Sequence, residues 1–495
     1  MKLQAGQHLR QAWRQGLGSA ALSALIALGG CALVGPDHVE PQPSVPAAWA
    51  GPAPNGSGTQ APPIVPGTQA APGPRPGLAG WWQQFNDPML AALVDRALAD
   101  SPDLRAAQAR LRAAGAQLDV ASAARYPAVS ANASARGSGI EDAGSAQSYG
   151  AGLNASWEVD LFGRLRRGVE AAQADLEATA ATLGSAQVSL AAEVALAYID
   201  VRGLQARLDV SRRNLESQSE TLQLTSWRAQ AGLVGLLDVE QARASVEQVR
   251  AQIPVFEASL GQTRHRLSVL TGQPPAALAG VLERPGPIPS APVSLALGIP
   301  AEVLRQRPDV LAAERALAAE TARVGQAEAA RYPSLALSGS LGLEALTLGG
   351  LTGGGASLWS IAAGLAAPVF DAGRLRAQVE IRSAVQEQAM AAYESTVLIA
   401  LEEVENALLA VASNRDRFAA LVTAVDAARN AALLARHRYA SGLADFQSVL
   451  DSARTVRTLE DSLASSEADS AVSMVRLYKA LGGGWAPGTS VKAMR

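Results

Sequence analysis

The sequence has little of several residue types, and each scarcity narrows the possible functions. It contains one cysteine in 495 residues, so no disulfide can form within the chain. It contains four histidines, and none lies in an HExxH pattern or beside the cysteine, which leaves no candidate zinc site. No GxxxxGK[ST] phosphate loop occurs. We therefore expect no enzyme activity, no cofactor, and no catalytic, cofactor-binding or metal-ligating residue.

Aromatic residues and net charge are also low. Aromatic residues make up 4% of the chain, and the net charge of −3 includes no basic excess, so nucleic acid is not an expected partner. The apolar fraction is 48% and alanine is abundant, a composition that favours long, closely packed helices. Beyond the N-terminal stretch no run of 18 apolar residues occurs, so we expect no transmembrane helix.

The N-terminus explains the single cysteine. Three basic residues, Lys2, Arg10 and Arg14, precede an apolar stretch that ends in Leu28-Gly29-Gly30-Cys31. This pattern resembles a bacterial lipobox, in which the cysteine is lipidated and then becomes the first residue of the mature chain. The alternative is an ordinary secretory signal followed by an unrelated cysteine. We predict a lipoprotein signal over residues 1–30 and a lipid-anchored Pro/Gly-rich linker over 31–80.

The rest of the chain is a tandem duplication. Residues 102–127 and 308–333 align without gaps at an offset of 206, and half of these 26 positions are identical, including both copies of "ARYP". Beyond them the offset becomes 210, which pairs the "GRLR" motif at 163–166 with the one at 373–376. We predict repeats over 81–275 and 297–485, an inter-repeat linker over 276–296 and a tail over 486–495.

Each repeat predicts two β-strands after its ARYP motif. Apolar and polar residues alternate over 127–136 and 149–160, and the second repeat has a similar pair around the Gly-rich loop 349–355. Strands of about ten residues with one apolar face are typical of a transmembrane β-barrel wall. A half-buried soluble hairpin is the alternative. Four strands cannot close a barrel, because the smallest need about eight, so several chains must share one.

A long helical hairpin follows each pair of strands. Residues 161–228 and 371–438 contain no proline, and nearly 70 helical residues rise about 100 Å. Each stretch ends in a short turn, with Gly232 or Gly442 suited to the position just past a helix. Helical patterning returns from Leu236 and from Phe446. We therefore predict antiparallel helical hairpins.

With these features the chain resembles the TolC-type outer-membrane efflux proteins, and specifically their lipoprotein branch, the NodT type. The motifs that support the resemblance are "WWQQFNDPML" (81–90), "RPDVLAAE" (307–314), both ARYP blocks, "GLVGLLDVEQA" (232–242) and "LYKALGGGW" (477–485). The resemblance implies a mainly α fold with a membrane β-barrel: a homotrimer with a 12-stranded barrel in the outer membrane and an α-barrel in the periplasm. Ala32 after the cysteine also points to the outer membrane.

The resemblance also assigns roles to the two helix–turn–helix tips. Asp451 falls where the family has an acidic ring at the periplasmic gate, and Ser448 occupies a second position that is acidic in some members. Tyr439 and Asp238 match positions that hydrogen-bond across helices in a closed state. Residues at both turns would dock the periplasmic adaptor: Gly232, Leu233, Val234, Gly442 and Leu443.

The expected function is a passive exit duct of a tripartite pump that exports small molecules. Its partners would be a periplasmic adaptor, an inner-membrane pump of the resistance–nodulation–division type, and outer-membrane lipid through acylated Cys31. Two alternatives stay open at this point. One is an exit duct for type I protein secretion, and the other is a periplasmic lipoprotein scaffold without a channel.

Overall fold

A computed structural model describes residues 33–42, 45–50, 78–140, 144–290 and 300–485. The predicted lipidation site Cys31 lies outside these residues, as do the predicted signal, most of the linker and the C-terminal tail.

The two repeats consist of matching elements. The first begins with a 3₁₀ turn, Trp81–Phe85, and continues with α1 (Pro88–Asp100), α2 (Pro102–Ala123), β1 (Ala128–Ile140), β2 (Gly144–Val159), α3 (Arg164–Gln230) and α4 (Leu236–Leu270). The second contains α5 (Pro300–Gln306), α6 (Pro308–Ala329), β3 (Ser334–Ala345), a single turn α7 (Gly350–Gly353), β4 (Ala356–Ala366), α8 (Arg374–Ala440) and α9 (Phe446–Ala480). Helices α3 and α8 both have 67 residues, and α4 and α9 both have 35.

The helix boundaries follow from local chemistry. Helices α2 and α6 begin at Pro102 and Pro308, where the missing N–H would have no partner in a helix anyway. They end at Ala123 and Ala329, four residues before the ARYP prolines, as the sequence predicts. Helix α1 begins at Pro88, and the Asp87 carboxylate accepts hydrogen bonds from the backbone N–H groups of Met89 and Leu90.

The four strands form one antiparallel sheet in the order β1-β2-β3-β4. Because apolar and polar residues alternate along the strands, the sheet has two different faces. One is apolar, with Leu153 opposite Leu341 and Trp359 opposite the same leucine. The other is polar: Asn154 donates to Asn132 at 2.8 Å, and the hydroxyls of Ser340 and Ser360 lie 2.7 Å apart. Strands β1 and β4 each have one edge without a partner strand among the described residues.

Contacts divide the chain into two compact units, of which the first contains the sheet. In this unit the segment 33–38 packs around Arg167 of α3, whose side chain is 2% exposed. Arg167 donates to the backbone oxygens of Val34 and Gly35 and to the Asp37 carboxylate, the last at 2.6 Å. Gly35 has a φ of +93°, and an added Cβ would lie 2.3 Å from the Cα of Gly325, so only glycine fits there.

The second unit has an aromatic core near the start and the end of the duplicated region. The Trp81 ring stacks on Tyr478, with centroids 5.2 Å apart and planes inclined by 12°. The Tyr198 hydroxyl donates to Asp87 at 2.8 Å and accepts from Arg202. Burial and the hydrogen bond to Asp87 raise the pKa of Tyr198 to about 12.

Arg307 joins three helices of the second unit. It is buried just before α6, where it pairs with Asp309 at 2.6 Å and with Glu403 of α8 at 2.6 Å. It also donates to the backbone oxygen of Ala480 at the end of α9, at 2.8 Å. The "RPDV" motif therefore connects the start of one helix, the middle of a second and the end of a third.

Two helices have the length and composition of a membrane span, although the sequence contains no unbroken run of 18 apolar residues. Helices α3 and α8 each contain an 18-residue window of sufficient hydropathy with at most two charged residues. The α3 window is 61% buried within the chain, as in the core helix of a soluble protein. The α8 window is only 17% buried, which leaves Val422, Leu433 and Leu434 exposed. Two charged residues in an Ala/Leu-rich stretch do not lower its hydropathy enough to exclude a span.

Candidate functional site

Both helix–turn–helix tips lie in the second unit and have the same backbone geometry. Gly232 and Gly442 follow α3 and α8 with a φ of +73° each. Each glycine N–H donates to a backbone oxygen in the last turn of the preceding helix. The N–H of the leucine that follows donates to the backbone oxygen one residue before that one, Leu233 to Arg228 at 2.9 Å and Leu443 to Arg438 at 2.8 Å. This pair of bonds is the Schellman motif, and it confirms the predicted cap positions of both glycines.

The tips present apolar side chains to solvent. Leu233 is 68% exposed and Leu443 is 70% exposed, and nothing lies within 4 Å of a Cβ added to either glycine. The first tip also exposes Leu236 and Leu237. Val234 differs from these leucines, because it is half-buried against the cluster of side chains at the second tip. Of the residues assigned to docking, the two leucines therefore offer the accessible surface.

Tyr439 occupies a buried cluster with Ala242, Phe446, Val449 and Leu450. Its ring lies against Phe446, with centroids 5.3 Å apart. The Arg228 guanidinium lies over the Tyr439 ring, 4.4 Å from the centroid, and donates to the Tyr439 backbone oxygen at 3.1 Å. Burial raises the pKa of Tyr439, and the positive charge of Arg228 partly counters this shift. Tyr439 therefore joins the two tips.

Asp238 lies in the first turn of α4 and is half-buried. Its negative charge contributes to the raised pKa of Tyr439, which places the two residues in one electrostatic environment. Within the described part of a single chain, no hydrogen bond joins their side chains. The structure therefore brings Tyr439 and Asp238 to the same site without forming the predicted hydrogen bond.

Ser448 and Asp451 lie one turn apart on the exposed side of α9, opposite the buried Val449 and Leu450. Ser448 takes part in the cap of this helix, because its backbone N–H donates to Asp445 at 3.0 Å and its hydroxyl donates to the same carboxylate. These hydrogen bonds lower the pKa of Asp445. The Asp445 carboxylate is therefore an additional negative charge at this tip.

Asp451 has two polar neighbours on its own helix. The Gln447 side chain donates to its carboxylate at 2.9 Å, and the Arg454 guanidinium lies 3.6 Å from the same oxygen. The sequence analysis missed Arg454, although its i,i+3 spacing from Asp451 is the signal that could have identified it. It also missed the role of Arg228, because no local pattern connects Arg228 with Tyr439. A positive charge thus accompanies the predicted gate carboxylate.

Among the described residues, no group of three His, Cys, Asp or Glu side chains is arranged to hold a metal ion. A cavity of about 540 Å³ lies in the first unit where the strands meet the helices, and its lining includes Glu158, Arg164, Tyr332 and Arg374.

Comparison with known proteins gives one consistent result. The family model "Outer membrane efflux protein" matches residues 93–273 and 299–483. The chain is 33% identical to the outer membrane protein OprJ of Pseudomonas aeruginosa over 486 residues, which cover 97% of this chain and 98% of OprJ. It is 31% identical to nodulation protein T of Rhizobium leguminosarum bv. trifolii over 473 residues, or 93% and 96% of the two chains.

Solved structures agree with the sequence comparisons. The outer-membrane channel OprN superposes with a TM-score of 0.82 at 38% identity, over 91% of this chain and 99% of OprN. The open state of the MtrE outer membrane channel of Neisseria gonorrhoeae superposes with a TM-score of 0.77 at 30% identity, over 92% and 98% of the two chains.

Proposed function

This chain belongs to the outer membrane efflux protein family, and from that membership we propose that three copies of it build one channel. The chain is an outer-membrane efflux channel, the exit duct of a tripartite pump, and it extends into the periplasm. Family members are transport channels rather than known enzymes. The number of copies, the lipid anchor, the partners and the gate are the parts that we propose.

The observation that supports a shared barrel is the open sheet. It has four strands, one apolar face and two edges without partner strands among the described residues. Backbone N–H and C=O groups at such an edge cannot be left unpaired in hydrocarbon, where each would cost several kcal/mol. Three copies supply twelve strands, enough to close a barrel without any free edge.

Helix α8 supports the same assembly. The apolar window of this helix is 17% buried in the single chain, and Val422, Leu433 and Leu434 point to solvent. These exposed apolar side chains offer surface that a neighbouring copy can cover. In a trimer this face packs against a neighbouring copy. The second unit then forms part of a helical tunnel wall.

The exposed leucines of the tips are the proposed docking surface for a periplasmic adaptor. Leu233 and Leu443, presented by Gly232 and Gly442 with Val234 beside them, offer apolar knobs of the kind that enter a groove between helices. An inner-membrane pump of the resistance–nodulation–division type supplies the energy. Relatives are named as toluene and antibiotic efflux pump proteins, so we propose small organic molecules as the exported class.

The proposed gate lies at the same tips. Three copies of Asp451 converge on the channel axis, with Ser448 one turn away, and their mutual repulsion favours opening. Tyr439 and Asp238 hold the closed state through contacts between tips. Acylated Cys31 anchors the chain in the outer membrane.

Native mass spectrometry of protein extracted from separated membranes tests this proposal. We expect a trimer from the outer-membrane fraction, with each chain beginning at residue 31 and carrying acyl mass. Planar bilayers should then show conductance. A monomer without conductance would contradict the channel and favour the lipoprotein scaffold. A trimer of chains that begin elsewhere or lack acyl mass would contradict the lipid anchor alone.

A further inference from the structure

The two copies of the GRLR motif differ in whether their first arginine has an acidic partner. In the first repeat the Arg164 guanidinium contacts both carboxylate oxygens of Glu158, at 3.1 Å and 2.6 Å. The offset of 210 places Arg374 at the position of Arg164 and Pro368 at the position of Glu158 in the second repeat. The second copy has therefore kept the arginine and lost its carboxylate.

No other acid replaces the missing partner, since Arg374 forms no ion pair in the part of the chain that the structure describes. Asp371 accepts hydrogen bonds from the backbone N–H groups of Gly373 at 3.0 Å and Leu375 at 2.8 Å. Its charge interacts with that of Arg374 at longer range, but its oxygens are used to cap helix α8. The exposed Arg374 guanidinium can therefore donate to an acceptor from outside the described chain.

The cavity of about 540 Å³ in the first unit lies beside this charge, and Arg374 is part of its lining. Small-molecule sites usually have volumes of about 300–1,000 Å³. Both acids of the lining are already paired, Glu158 with Arg164 at 2.6 Å and Asp160 with Arg166 at 3.3 Å. Arg374 is therefore the charged group of the lining that is left for a ligand.

An apolar wall faces the same cavity. Phe162 and Tyr332 belong to the lining, and their rings stack on each other with centroids 4.8 Å apart. Leu161 and Leu375 add aliphatic surface. A flat apolar molecule can pack against such a wall, because aromatic rings offer a large contact area with few internal rotations. The cavity thus combines one unpaired positive charge with an aromatic surface.

The strand residues of the lining place the cavity on the polar face of the sheet. Glu158 follows Asn154 by four residues on β2, and Ser334 precedes Ser340 by six residues on β3. Even spacing along a strand puts side chains on one face, and Asn154 and Ser340 belong to the polar face. In a closed transmembrane barrel the polar face surrounds the interior. The cavity would then lie inside the proposed channel.

We propose that this cavity binds aromatic carboxylates as they pass through the channel. Arg374 pairs with the carboxylate, and the Phe162–Tyr332 pair contacts the aromatic body. The inference rests on the proposed exit duct and adds a class of molecule that the duct holds transiently. The planar guanidinium of arginine matches the two oxygens of a carboxylate. A ring without the charge, or a charge without the ring, makes only part of these contacts.

Equilibrium dialysis of the purified, full-length protein in detergent tests the site, with naphthoate as the probe. Neutral naphthamide has the same rings without the charge, and acetate, added as a competitor, has the charge without the rings. Three variants separate the roles of the charges. Arg374→Gln removes the unpaired guanidinium, and Glu158→Gln releases Arg164 from its partner. Arg376→Gln is the matched control, because Arg376 is also exposed on α8 and is not part of the lining.

We expect Arg374→Gln to weaken naphthoate binding about fivefold, which is the most that a partly solvated ion pair usually contributes. Glu158→Gln should strengthen the binding, and Arg376→Gln should leave it unchanged. Naphthamide should bind more weakly than naphthoate, and acetate should compete poorly. Equal binding of naphthoate and naphthamide, strong competition by acetate, or equal losses in Arg374→Gln and Arg376→Gln would each overturn the site.

Conductance in planar bilayers separates a failure of the site from a failure of the channel. Naphthoate should lower the wild-type conductance, and Arg374→Gln should relieve this block. A protein that conducts but does not bind naphthoate would overturn the site, while the exit duct would stand. Binding without any block would overturn the placement of the cavity inside the channel. A protein that binds naphthoate but never conducts would overturn the exit duct itself.

Discussion

The Phe162 ring stacks on Tyr332, with planes inclined by 24°, where β2 ends and β3 is about to begin. The contact joins the first repeat to the second, and Tyr332 belongs to one of the two ARYP motifs. The other motif contributes Tyr126, whose ring has no partner ring among the described residues of its own chain. The duplication therefore gives two equivalent tyrosines, of which Tyr332 is covered by a ring of its own chain and Tyr126 is 69% exposed.

We expect Tyr126→Ala to weaken the trimer more than it weakens the folded chain. If the exposed Tyr126 ring packs on an aromatic ring of a neighbouring copy in the proposed trimer, each such pair adds about 0.5–1.5 kcal/mol beyond area burial. The measurement is the temperature at which the trimer dissociates in detergent. Tyr332→Ala is the matched control, because it removes a stack within one chain. If Tyr126→Ala leaves the dissociation temperature unchanged, the Tyr126 ring does not contribute to the contact between copies.

The charge of Arg454 should tune the ion selectivity of the gate. Its guanidinium lies 3.6 Å from Asp451, so it offsets part of the proposed acidic ring. We expect Arg454→Ala to shift the reversal potential in a salt gradient towards cation selectivity and Asp451→Ala to shift it the other way. Arg243→Ala is the control, since Arg243 pairs with Glu240 at the same spacing on α4. Equal shifts in all three variants would exclude a local effect at the gate.

Gly442→Ala should strain the second tip without a steric clash. The φ of +73° costs an L-residue about 1–2 kcal/mol, and nothing lies within 4 Å of the added Cβ. We expect faster hydrogen exchange around 438–446 and weaker binding to the adaptor. Gly115→Ala, inside α2 with equally open surroundings, should instead stabilise the chain by about 0.5–1 kcal/mol. If Gly442→Ala destabilises its tip while Gly115→Ala stabilises the chain, the backbone conformation at position 442 causes the effect.

Removing the buried guanidinium of Arg307 should be among the most destabilising single changes. It leaves Asp309 and Glu403 without their shared cation and the Ala480 oxygen without its donor. Both carboxylates are half-exposed, so we expect Arg307→Ala to cost about 3 kcal/mol in the free energy of unfolding. Arg243→Ala breaks an exposed pair and should cost no more than about 0.5 kcal/mol. Thermal unfolding in detergent compares the two.

The same ion pair predicts a dependence on pH. Burial alone would raise the pKa of Asp309, but the hydrogen bonds and charge of Arg307 lower it below the ordinary value of 3.8. Its contribution to stability is fully present above that value and is lost as the pH falls through the lowered pKa. We expect the stability difference between wild type and Arg307→Ala to shrink on acidification below about pH 4. A constant difference would show that Asp309 is not the linked group.

Sequence patterns were sufficient where the cause is local. Pro102 and Pro308 begin helices, Gly232 and Gly442 end them, and the strand alternation appears where it was predicted. Sequence patterns were insufficient where a contact joins residues that lie far apart in the chain. Arg167 is buried by a segment about 130 residues away, and Arg228 stacks on a tyrosine that follows it by more than 200 residues.

The sequence alone determined the duplication, the lengths of the paired helices, the turns and the two-faced strands, because each depends on the residue types of neighbouring positions. The tertiary structure decided the strand register, the buried ion pairs at Arg167 and Arg307, and the stacking of Arg228 on Tyr439. These features depend on which segments pack together, and no local preference specifies a partner that lies far away in the chain.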